Sequence, residues 1–152
     1  MKIVSSLALV VAVGWGSVSA VASQQVDTVP LHSTLYNAGQ VGQATLTPLS
    51  SHETILSLFV SGVPNSTAIP AHLYTYVYSG TCASHGAKPA YELNRVVSSE
   101  FNDEAGIQLS KRVPVAYDTL RSSGYALVVR SAPEDGNHDL FCGNIGGSLS
   151  AL

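Results

Sequence analysis

The chain has 152 residues, of which 45% are hydrophobic and only 11% charged, with a formal net charge of −3. Setting aside Lys2 with the first 22 residues leaves six Lys and Arg against ten Asp and Glu, a balance of −4, with no basic cluster anywhere. A phosphate backbone requires a concentrated positive surface, so nucleic acid is excluded as the expected partner. The length fits one domain with a real core.

Lys2, the apolar run Leu7 to Val13 and the small residues ending in Ala20-Val21-Ala22 read as a secretory signal peptide, residues 1–22, cleaved after Ala22. The run is too short for a bilayer-spanning helix, which takes ~20 apolar residues, so no membrane span is expected in the mature chain. Residues 23–147 are expected to form the domain, and residues 148–152, at the end of a Gly/Ser stretch, a flexible tail.

From Leu31 on, short β-prone runs alternate with turn residues, and no helical period is sustained. The expected strands are 31–36, 41–46, 54–60, 71–78, 91–96, 106–113, 125–131 and 140–145. The intervals carry turn formers, as in Asn37-Ala38-Gly39, Ser122-Ser123-Gly124 and Pro133-Glu134-Asp135-Gly136-Asn137. The interval 96–104 is expected to be the longest loop, with Glu100, Asp103 and Glu104 solvated in it. This pattern predicts an all-β fold of about eight antiparallel strands, a Greek-key sandwich or flattened barrel. Asn65-Ser66-Thr67 matches the glycosylation sequon, which matters only in a eukaryotic secretory host.

Cys82 and Cys142 are 60 positions apart, and both remain after signal removal in a chain bound for an oxidising compartment. A Cys82–Cys142 disulfide is therefore expected. Alternation along one strand sets His72, Tyr74, Tyr76 and Tyr78 on one face. That face is either a binding surface or the outer side of a sheet, where tyrosine has high propensity. Tyr125, after Gly124, is expected to be a packing residue whose hydroxyl bonds nearby backbone. No Gly-x-Ser-x-Gly elbow, phosphate loop or His-Glu-x-x-His is present, and no catalytic residue is assigned.

The order of segments carries a resemblance. Gly42-Gln43-Ala44-Thr45-Leu46 opens one strand, and Pro70-Ala71-His72-Leu73-Tyr74 opens another that leads to Ser79-Gly80-Thr81-Cys82. Gly124 to Arg130 precedes Phe141-Cys142-Gly143-Asn144-Ile145-Gly146. Together these segments resemble the copper/zinc superoxide dismutase-like β-sandwich superfamily, above all its short exported bacterial members. The resemblance runs from about Leu31 to Gly146. It implies a Greek-key sandwich in which the late Cys-Gly-x-Ile closes a disulfide onto the segment after the His-x-His strand.

Copper redox chemistry needs several neutral imidazoles converging on the metal. Here the His-x-His pattern is met by His72-Leu73-Tyr74, the late copper-binding His by Arg130, and the anion-guiding Arg by Asp139. The long zinc loop is missing. The resemblance therefore implies an exported, periplasmic or secreted domain that has lost dismutase activity, holds no cofactor, and acts as a binding or structural module. Its partner is not specified by the sequence, and a homodimer or protein partner through the tyrosine strand is one form it takes. The alternative is a copper carrier or weak copper-dependent dismutase using His72 with His85 or His138. The competing structural readings are a strand histidine bonded to a neighbouring Tyr for His72 and a solvated loop histidine for His138. His32 and His52 are expected to be ordinary surface residues.

Overall fold

A computed structural model describes residues 25–95, 100–102, 106–122 and 124–146. The expected signal peptide and the 148–152 tail lie outside the described residues, as does most of the 96–104 interval. The strands are β1 (Asp27–Ser33), β2 (Val41–Pro48), β3 (Thr54–Val60), β4 (Leu73–Thr81), β5 (Ser84–His85), β6 (Tyr91–Glu92), β7 (Glu100–Asn102), β8 (Gly106–Val113), β9 (Tyr125–Ser131) and β10 (Asp139–Ile145). A short helix, α1 (Tyr117–Ser122), and two 3-10 turns, Leu35–Asn37 and Pro133–Asp135, complete the described elements.

The strands form an antiparallel sheet curled into a half-barrel, in the order β5-β4-β9-β10-β1-β2-β3-β8-β7, with β6 also paired to β4. β1, β2 and β3 are a meander. The chain then crosses from β3 to β4 and again from β8 to β9, so that the last strand, β10, returns to lie beside the first. This is the all-β, Greek-key arrangement expected, closed by the Cys82–Cys142 disulfide.

Period-two alternation decides which side faces inward. Thr54, Leu56, Leu58 and Val60 of β3 are buried, and their register partners on β8, with Ile107 opposite Val60 and Leu109 opposite Leu58, continue the same layer. Leu31 and Val29 of β1, Ala44 and Leu46 of β2, Leu73 and Val77 of β4, and Leu127 and Val129 of β9 fill the rest of the core. In β10 the register shifts between Asp139 and Phe141, and this bulge lets consecutive residues, Leu140 and Phe141, both reach the core.

Three local expectations are corrected. Val96–Glu104 is not all loop, because Glu100–Asn102 pairs with β8 as β7. The strand expected at 91–96 pairs only over Tyr91 and Glu92, where it meets Val77 and Tyr76 of β4. Helix α1 has no counterpart among the expected elements: its six residues span under two turns, too few for a period to register. Its Tyr117 and Leu120, three apart and so on one face, are both buried in the core. Gly146 lies against this helix with φ +74°, and a Cβ there would come 1.8 Å from the Arg121 carbonyl oxygen.

Candidate functional site

β9 is buried on both faces: Ala126, Leu127, Val128 and Val129 are all sequestered, although only Leu127 and Val129 belong to the core. Ala126 and Val128 point outward. Register places them opposite Tyr78 and Tyr76 of β4 on one side and Asn144 and Cys142 of β10 on the other. A second, smaller packed layer therefore lies on the outside of β4, β9 and β10. The segment after β4 helps to hold it, since Cys82 is bonded to Cys142 and its backbone N–H donates to Asn144 Oδ1 at 2.7 Å.

The tyrosine stripe grades across this layer. Tyr78 is buried at 4% exposure, Tyr76 and Tyr74 are half-buried, and His72 stands exposed one residue ahead of the strand. His72 is thus not a ladder residue of β4, contrary to the strand start expected at Ala71. Tyr78 packs against Tyr76, with ring centroids 6.2 Å apart, and against His85 at 4.4 Å. Arg130, on the outward face of β9 opposite Tyr74, lies over the Tyr76 ring at 5.2 Å. Its Nε donates to Asp139 Oδ1 at 2.6 Å, and its guanidinium also bonds Tyr78.

The electrostatics follow from these contacts. Burial works against the Arg130 charge, but the hydrogen bond and charge of Asp139, with Tyr78, outweigh it and hold the guanidinium above its ordinary pKa. Burial pushes the Tyr76 phenol up; Arg130 pulls it down, while Glu92 and the flanking tyrosines add to the rise. Tyr76 is therefore a neutral phenol at physiological pH. The Tyr91 phenol is raised as well, by burial and then by its hydrogen bond with Tyr125. Tyr125 is a packing residue, as expected: it lies against the core, with its ring 6.0 Å from that of Tyr91.

The three histidines considered as metal ligands go to different neighbours. His85, on β5, turns Nδ1 to the carbonyl oxygen of Gly86 at 3.0 Å and packs on Tyr78. His138 stacks on Tyr36 with centroids 4.0 Å apart, so it is half-buried in a ring contact and not simply a solvated loop histidine. His72 is exposed, as are His32 and His52. Among the described residues, no three His, Cys, Asp or Glu side chains gather where a metal ion could be held. Nor is any helix among them long and apolar enough to cross a membrane.

Arg130 and Asp139 were noticed in the sequence only as departures from a pattern. Their direct pairing across the β9–β10 hairpin, visible in the register, is what makes them a unit. Glu92, opposite Tyr76, and Asn144, holding the Cys82 backbone, carried no sequence signal beyond being polar residues. The chain matches no protein-family model, no curated protein and no solved structure.

Proposed function

We propose that this protein is an exported, disulfide-closed member of the superoxide dismutase-like β-sandwich superfamily that has exchanged metal chemistry for a binding or structural role. Its binding surface is the face formed by Tyr74, Tyr76 and Arg130. The observation that carries the reading is Arg130. It stands where the resemblance calls for a late copper-binding histidine, is ion-paired to Asp139 at 2.6 Å, and lies over Tyr76. A guanidinium offers no lone pair to a metal, and a neutral phenol is a poor ligand. The residues present therefore do not fit a copper centre. The Greek-key order and the bond from Cys82 to the last strand support the superfamily reading. The apolar leader sequence and the disulfide support a periplasmic or extracellular location.

Half-buried tyrosines beside an arginine are the residue types that dominate interface energetics. The partner is a second copy of the chain. Sedimentation velocity across a concentration series is expected to show reversible association of the mature protein. Tyr76→Ser is expected to weaken it at least about tenfold, the scale of one interface anchor. A strict monomer at every concentration would remove self-association from the reading.

A further inference from the structure

One end of the curled sheet gathers apolar side chains that the core does not use. Four of the seven exposed large apolar residues among those described, Leu35, Tyr36, Val41 and Ile69, lie there, on the turn after β1, the start of β2 and the loop into β4. Leu35 is 96% exposed, so a single chain gains almost nothing from it. Its 3-10 turn is pinned on both sides, which keeps the side chain from folding back. The Thr34 amide donates to the Leu140 carbonyl oxygen at 2.9 Å, and Asn37 Nδ2 donates to that of Gly62 at 3.1 Å.

This end is continuous with the tyrosine face. Tyr36 stacks on His138 with centroids 4.0 Å apart, and His138 directly precedes Asp139. Asp139 holds Arg130, which lies over Tyr76. Glycine leaves the room for the stack: at Gly136, with φ +92°, a Cβ would come 2.5 Å from His138 Nε2. The surface therefore runs unbroken from Tyr76 to Tyr36, with Leu35 at its end. Its charge fits one kind of partner. No Asp, Glu, Lys or Arg occurs between Asp27 and Glu53 or between Glu53 and Lys88, and the two charges along the surface, Arg130 and Asp139, neutralise each other. Glu92, opposite Tyr76, and Glu134, in the turn before His138, are exposed carboxylates beside it. In a two-fold dimer a patch meets its own copy, so an unpaired charge confronts a like charge, whereas apolar groups, aromatic rings and internally paired ions do not.

We propose that the self-association surface extends past the tyrosine face to Tyr36 and Leu35, and that Leu35 is its apolar anchor, buried against the second copy of the chain. The extension rests on the reading that the tyrosine face self-associates. A fully exposed leucine carried into an interface withdraws its side chain from water, an effect worth tenfold or more in the association constant.

The test is sedimentation velocity of residues 23–152 over a concentration series, beside Leu35→Ser, Tyr76→Ser and Leu49→Ser. Leu49, also exposed, stands beyond the opposite end of β2 and controls for the loss of an exposed leucine as such. Leu35→Ser is expected to raise the dissociation constant at least tenfold, as Tyr76→Ser does, and Leu49→Ser to change it less than twofold. The melting temperature of each variant, taken where the chain is monomeric, should stay near that of the wild type, which separates lost association from lost folding. Association weakened by Tyr76→Ser but within twofold of wild type in folded Leu35→Ser would overturn the proposal and leave the tyrosine face as the whole interface. An equal loss in Leu49→Ser would overturn it too, because the effect would then belong to no particular surface. A wild type that stays monomeric at every concentration would remove the self-association reading and this extension together.

Discussion

Replacing Cys82 and Cys142 together by serine is expected to destabilise the domain by about 4 kcal/mol, the chain-entropy value for a closed loop of roughly 60 residues. That is a large share of the 5–15 kcal/mol typical of a small domain. The loss has a structural side too. The bond ties the segment between β4 and β5 to β10; that segment offers the Cys82 amide to Asn144 and leads into β5, whose His85 packs on Tyr78. Without the tether, the layer over Ala126 and Val128 loses its hold on β10, and Tyr78 should become more exposed. Urea unfolding of the wild type and the double variant, each fitted with its own slope, reads the effect directly. A difference below about 1 kcal/mol would show that the outer layer is held by packing alone.

Phe141→Ala is expected to cost about 3–5 kcal/mol, the range for emptying an aromatic site in a rigid core. Phe141 heads the fully buried side chains by size, with 0% exposure. Its surroundings cannot close over a cavity. The neighbouring β2 backbone is already so near that a Cβ on Gly42 would lie 3.3 Å from Phe141 Cδ1 and 3.1 Å from Leu31 Cβ. Strands pinned by hydrogen bonds on both sides have little freedom to move inward, so the void should persist. Phe59→Ala, at a position 38% exposed, is the control, with an expected cost below about 1.5 kcal/mol. Equal losses for the two would contradict this account of the core. Thermal unfolding monitored by circular dichroism is sufficient for the comparison.

Strand positions were legible because burial on one face writes itself into alternation. Gly106–Val113 and Tyr125–Ser131 match the expected bounds, as does Thr54–Val60. The disulfide was legible for a different reason: with only two cysteines in the chain, an intrachain pairing has one solution. The tyrosine stripe was visible as well, but its gradient was not. Nothing local to Tyr78 says that the segment after the strand folds back over it, whereas Tyr74 and Tyr76 stay half-buried. The Arg130–Asp139 pair was hidden because partnership across a hairpin depends on register, which here includes a bulge beside Asp139.

The claim that Arg130 and its neighbours have displaced metal chemistry is tested most directly by metal analysis. The oxidised protein, residues 23–152, would be incubated with excess copper and zinc, desalted and assayed for both metals beside His72→Ala. The account predicts far less than one metal per chain in each, with no dismutase activity in either sample. Close to one copper per wild-type chain, lost in His72→Ala, would contradict it and restore the reading in which His72 works with His85 or His138.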